Sequence, residues 1–166
     1  NGNNSNLEDM AVAAWTFNAN NCSTGQYRSF FKFTGLSVVP QTATVLSAKL
    51  SLYGITTSLA SPQGNSYYPG SPYNSSGTNE CWLKRVTGSW AEATLTWNTQ
   101  PSVTETDRVA IAASTSQWGY SVVDLDVTNL IKGMVNNANA NNGFAMMHQI
   151  EQYYRSVSFA SSDNVD

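Results

Sequence analysis

Charge is what this sequence has least of. Only 11% of its 166 residues are Asp, Glu, Lys or Arg, against about a quarter in an ordinary globular protein. Eight Lys and Arg face eleven Asp and Glu, for a net charge of −3. The cations are scattered, so no basic stripe is available to neutralise a phosphate backbone, and nucleic acid is excluded as a partner. Asn, Ser, Thr, Gly and Tyr fill the deficit. A surface kept soluble by amides and hydroxyls points to an extracellular or cell-surface location. Long apolar runs are missing too, so no membrane span is expected. Neither a basic nor an apolar signal region follows Asn1, and the chain reads as a mature or excised piece.

Histidine and cysteine are nearly absent. His148, the one histidine, sits in an apolar strand-like run with no Gly-x-Ser-x-Gly elbow and no metal spacing around it, which argues for a structural or surface role. The two cysteines, Cys22 and Cys81, lie in polar, loop-like surroundings without metal-ligand spacing. A disulfide is expected between them. Closing a loop of about 60 residues would contribute roughly 4 kcal/mol in the chain-entropy model; the alternative is two free thiols in a reducing cell.

What is present is a sheet pattern. Between residues 28 and 53, Phe31 and Phe33 alternate with Lys32, and Ala48, Leu50 and Leu52 alternate with Lys49, Ser51 and Tyr53, the period of two of half-buried strands. Gly35 and Pro40 mark a loop between the halves. Further strands are expected at 10–17, 81–86, 95–97, 107–113, 120–125, 144–148 and 155–160. Val127, Leu130, Ile131, Met134 and Val135 recur at the spacing of one helical face, with Asp126 or Thr128 available as the cap. Residues 56–80 carry neither period and form a long loop, a length that is usually functional or pinned. The resulting fold class is all-β: one domain over residues 1–166, an antiparallel β-sandwich of jelly-roll type with one short helix near 127–135.

Five segments in succession resemble the blocks of DNRLRE domains: Arg28-Ser-Phe-Phe-Lys-Phe33, Ala48-Lys-Leu-Ser-Leu-Tyr53, Ser89-Trp-Ala-Glu-Ala-Thr-Leu-Thr-Trp-Asn-Thr-Gln-Pro101, Leu125-Asp-Val-Thr128 and Ser158-Phe-Ala-Ser-Ser162. The resemblance implies a jelly-roll-like sandwich on secreted proteins, often beside polysaccharide-degrading or adhesive domains, with alginate-like polymers among the ligands. Thr34 departs from it, because the family has an acidic residue there. Against the family pattern the chain also lacks a first and a last strand. Either these strands have been trimmed from the chain or a neighbouring subunit fills their place, as in donor-strand complementation.

Aromatic side chains are the leading functional candidates. Tyr67, Tyr68 and Tyr73 with Trp82, then Trp118 and Tyr120, then Tyr153 and Tyr154 sit in or beside loops. Rigid rings with polar tips suit the C–H faces of sugars and equally suit subunit contacts or plain packing. Trp15, Trp90 and Trp97 are assigned to the core. Glu80, Glu92, Glu105 and Glu151 include no visible glycosidase pair, so no enzyme activity is expected; Glu92 is expected to pin its own loop. Asp124 and Asp126, with Asp163 behind them, are weak candidates for a structural calcium ion, the alternative being that Asp126 caps the helix. No other cofactor is expected. The function this supports is a non-catalytic module that binds polysaccharide and attaches a cell or enzyme to it; the alternative is the structural subunit of an extracellular fibre or adhesin stalk, with neighbouring copies as partners.

Overall fold

The computed structural model describes residues 7–16, 24–136 and 141–164. Among them are nine strands, β1 (Asp9–Trp15), β2 (Gly25–Tyr27), β3 (Ser29–Phe31), β4 (Lys49–Leu52), β5 (Cys81–Arg85), β6 (Val109–Ile111), β7 (Val122–Asp126), β8 (Phe144–His148) and β9 (Arg155–Ala160), and one helix, α1 (Thr128–Val135). All the strand pairings are antiparallel. One layer runs β3-β8-β5-β6 and the other β2-β1-β9. The β4-β7 pair joins the second layer through a bridge between Gly54 and Phe159 and the bond from the Ala160 amide to the Tyr53 carbonyl, 2.8 Å. The chain is an all-β sandwich with a single helix.

The alternation of large and small residues explains how the layers pack. On β1 and β9, Met10 pairs with Phe159 and Val12 with Val157, and these face the core, while Ala11 pairs with Ser158 and Ala13 with Ser156 on the opposite face. That outer face is buried as well, under residues 56–80. Only small side chains let a loop lie so close to a sheet. The other layer repeats the arrangement: Leu83, Phe144 and Met146 face the core, while Ala145 and Met147 face outward under Val86, Trp90 and Val103. β8 is therefore buried on both faces and shows no polar alternation. Leu130, Ile131, Met134 and Val135 of α1 join the core as their spacing predicts. The Asp126 carboxylate accepts from the Thr128 amide, 2.9 Å.

Several expected strands are shorter or different. The strand expected at 95–97 is a pair of 3-10 turns, Glu92–Thr94 and Trp97–Thr99. The Thr99 hydroxyl there accepts from the Thr96 amide, 2.8 Å, so local side-chain bonding satisfies the backbone in place of a ladder. The first strand of the 28–53 stretch breaks at Arg28, where β2 in one layer gives way to β3 in the other.

The expected disulfide is not seen among the described residues. Cys81 is a free thiol with no exposure, because it opens β5 on the core-facing side, in register with His148; Cys22 lies outside the described residues. What pins the long loop is polar. β9 offers the edge that β1 does not use, and loop residues bond along it as a strand would. The Ser66 amide donates to the Ser156 carbonyl (2.9 Å), the Ser156 amide to the Ser66 hydroxyl (3.0 Å), and the Ser158 amide to Asn65 Oδ1 (3.0 Å). Asn79 donates from Nδ2 to the Ser156 carbonyl (2.6 Å) and the Ser114 hydroxyl (2.8 Å), and accepts the Ser114 amide at Oδ1 (3.0 Å). Gly64 belongs to this contact: its φ is +73°, and a Cβ there would lie 2.8 Å from the Gln117 carbonyl oxygen.

Two predictions follow from the burial of these groups. Asn79→Ala leaves the buried Ser114 amide without its acceptor and takes a donor from the Ser114 hydroxyl and the Ser156 carbonyl, so urea denaturation is expected to report a loss of about 2–4 kcal/mol. The second concerns His148, whose Nδ1 is 3.4 Å from Cys81 Sγ. Burial, reinforced by the Arg155 charge, pushes its pKa down from 6.5 to about 4, and burial lifts the Cys81 thiol well above its ordinary range. A depressed histidine is neutral in the fold and protonates first in the unfolded chain. Its contribution is full above pH 6.5, falls as pH drops from 6.5 to about 4, and is gone below that, a span of roughly 3 kcal/mol. Denaturant midpoints across this window are expected to fall for the wild type and to flatten in His148→Gln.

Candidate functional site

The exchange of β2 for β3 opens the sandwich on one side. β2 pairs with β1 only at Ala13, Ala14 and Trp15, so residues 9–12 of β1 have no strand beside them on that side among the described residues. The Ser29 hydroxyl donates to the Ala11 carbonyl, 2.8 Å, and covers one of the open backbone groups. Beyond it lies a cleft of about 1140 Å³. Met10, Phe30 and Phe31 are among its apolar lining residues, with residues of the β2–β3 crossing and of the 90–100 loop.

Aromatic rings line this cleft. Phe33, 49% exposed, stands edge-on to Phe31 and Phe144 at 6.1 and 6.3 Å. Trp90 rests on Phe30 at 6.0 Å, its Nε1–H donates to the Asn142 carbonyl (2.7 Å), and Lys32 Nζ lies 5.3 Å from its ring centre. Trp97 is 39% exposed, with the Arg28 guanidinium 4.7 Å from its ring centre. The two cations stack on their rings as cation–π partners. Arg28 makes a bidentate ion pair with Glu151, Nε to Oε1 at 2.6 Å and Nη2 to Oε2 at 2.8 Å, and donates from Nη1 to Gln100 Oε1 at 3.0 Å. Gln100 in turn donates to the Trp97 carbonyl, 2.9 Å. A ring fixed by its own loop and backed by an ion pair is a rigid, partly apolar platform with hydrogen-bonding groups at its margin.

The eight aromatics singled out in the sequence do not form one face. Tyr153 lines the cleft and is 37% exposed. Tyr73 and Tyr154 meet Trp15 in an edge-to-face cluster, with Trp15 4.8 Å from Tyr73 and 5.1 Å from Tyr154. Tyr67 and Tyr68 are half-buried in the long loop, and their carbonyls accept from Ser114 and Asn74. Trp82 lies under the Arg108 guanidinium, 4.0 Å from the ring centre. Trp118 is half-buried where residue 64 approaches it. Tyr120 packs on Phe159 at 6.0 Å and donates to the Ala112 carbonyl. Of the three tryptophans assigned to the core, Trp90 packs on the cluster of Val86, Ala145 and Met147, whereas Trp97 is exposed and Trp15 half-buried outside both core clusters.

The charged candidates are engaged elsewhere. Glu105 is shared by Lys84 and Arg108, and the Lys84 hydrogen bond holds its carboxyl below the usual range. Glu80 accepts from the Thr78 hydroxyl. Of the four glutamates only Glu92 lines the cleft. Asp124 is 3.5 Å from Lys49 Nζ, and the Thr128 bonds hold the Asp126 carboxyl below its ordinary value. Among the described residues no three His, Cys, Asp or Glu side chains come together in a group that could hold a metal ion, and no helix is long and apolar enough to cross a membrane.

Comparison with known proteins agrees with a surface built this way. The family model described as carbohydrate-binding module family 96 matches residues 6–166, nearly the whole chain. Among curated proteins none matches.

Proposed function

We propose that this chain, which belongs to carbohydrate-binding module family 96, is a non-catalytic module whose polysaccharide ligand lies in the cleft between β1, the β2–β3 crossing and the 90–100 loop. The observation that carries this reading is the exposed Trp97 platform, with Trp90, Phe33 and Tyr153 along the same cleft. Pyranose rings stack their C–H faces on such side chains, and the amides of Gln26 and Gln100 are at hand for the hydroxyls. The finer reading is a DNRLRE-type domain outside the cell that attaches a cell or an enzyme to the polymer. The order of the five sequence blocks and the charge-poor surface support it.

A second reading rests on the open edge of β1. Residues 9–12 present backbone groups and the apolar Met10 and Phe31 to the cleft, and an extended segment from a neighbouring copy could complete the sheet there, as in a fibre.

Two measurements separate these readings. Trp97→Ala is expected to weaken binding of soluble polysaccharide at least about tenfold by calorimetry, with little change in thermal midpoint, since the ring is a partly exposed anchor. Unchanged affinity would place the ligand elsewhere. Light scattering on the native protein is expected to report the 18.0 kDa monomer; a large assembly that falls to subunits only on denaturation would favour the fibre.

A further inference from the structure

The ring cluster beside the cleft carries an inference that rests on the cleft being the saccharide site. Trp15 ends β1, Tyr73 comes from the long loop and Tyr154 from the turn between β8 and β9. Their ring centres lie 4.8 Å (Trp15 to Tyr73), 5.1 Å (Trp15 to Tyr154) and 6.0 Å (Tyr73 to Tyr154) apart. None of the three belongs to either core cluster, and Tyr154 is 38% exposed. Large rings gathered outside the core make an apolar patch with polar tips, a surface that takes the C–H face of a sugar. The exposed Asn74 and Gln152, close to Tyr73 and Tyr154 in the chain, bring amides for its hydroxyls.

The patch is fixed by a buried side chain and continues the cleft. Arg155 donates from Nε (3.0 Å) and Nη2 (2.8 Å) to the Ser76 carbonyl and from Nη1 to the Ile150 carbonyl (3.4 Å), so it ties the turn after Tyr73 to the turn that carries Tyr154. Gly77 makes room for it: its φ is +90°, and a Cβ there would lie 2.6 Å from Arg155 Nη2. Rings set in place before a ligand arrives bind it at a lower ordering cost. Two contacts join patch and cleft. Tyr153 lines the cleft while the next residue, Tyr154, belongs to the patch, and Gly25 lines the cleft while pairing in register with Trp15. A polymer runs on past the end of its cleft, and a second contact on the same chain forms at high effective concentration. We propose that Trp15, Tyr73 and Tyr154 form a second sugar-stacking subsite, which takes the same polysaccharide chain where it leaves the cleft past Tyr153.

The probes are alginate and β-1,3-glucan oligosaccharides, each as a tetrasaccharide and a decasaccharide, titrated by calorimetry. With whichever ladder binds, the decasaccharide is expected to bind the wild type at least about fiftyfold tighter than the tetrasaccharide. In Tyr154→Ala that gain is expected to fall below about tenfold, the part a longer chain owes to its extra registers, and in Tyr154→Phe to survive. Tetrasaccharide affinity is expected to stay unchanged in Tyr154→Ala, which shows that the fold and the cleft are intact. A second readout needs no variant: among the indole N–H resonances of the wild type, the tetrasaccharide is expected to shift that of Trp97 and leave that of Trp15, and the decasaccharide to shift both. If Trp97→Ala abolishes tetrasaccharide binding but Tyr154→Ala keeps the full chain-length gain, or the Trp15 resonance stays still with the decasaccharide, the subsite falls and the cleft stands. If Trp97→Ala leaves both lengths bound as tightly as the wild type, the cleft reading falls and the extension falls with it. Both also fall if neither ladder binds the wild type.

Discussion

The hydrogen bonds along the free edge of β9 are the constraint on which the rest depends. Asn65, Ser66 and Asn79 present amides, carbonyl oxygens and a hydroxyl to Ser156 and Ser158 at strand-like distances. A loop stands in for a strand. Because these bonds satisfy the edge, residues 56–80 can lie flat on the outer face of β1 and β9, where Ala11, Ala13, Ser156 and Ser158 leave room for them. Buried polar groups stabilise when they are paired, and the bonds from Asn65, Ser66 and Asn79 pair the backbone groups of Ser156 and the Ser158 amide along this edge.

Covering both outer faces shapes the functional surface by elimination. The long loop closes the β1 and β9 face, and Trp90 with Val103 closes the face of β5 and β8. Among the described residues the side left open is the one where β2 and β3 belong to different layers, and the large cleft lies there. Its lining is mixed for the same reason: Met10 and Phe31 are core residues seen from the side, while Arg28, Gln100 and Trp97 come from the connections that bound the opening. Membership of a carbohydrate-binding family and the location of this cleft thus arise from independent observations, one of sequence and one of packing.

The same packing sorts the aromatics. Tyr120 and Trp82 stand near turns in the sequence but are used up by Phe159 and Arg108, whereas Trp90 and Trp97, embedded in a block that reads as core, sit on the cleft wall. The signal that could have found them is local. Trp97 lies between Thr96 and Thr99, residues prone to bonding their own backbone, and this favours 3-10 turns over a strand. Arg28 and Glu151 are two of very few charges, yet nothing in their spacing announces that they pair across 123 positions.

Periodicity alone determined the core-facing rows of β4 and β9 and the α1 helix, because burial on one face imposes a period of two or of 3.6 on any chain that folds this way. Composition alone set a surface poor in charge and rich in amides, hydroxyls and rings. Only the tertiary structure decided that Cys81 points into the core, that polar side chains bond the long loop to β9, and that Glu151 pairs with Arg28 behind Trp97. Those outcomes depend on which face of a strand a residue occupies and on contacts between segments far apart in the chain, and no local pattern encodes either.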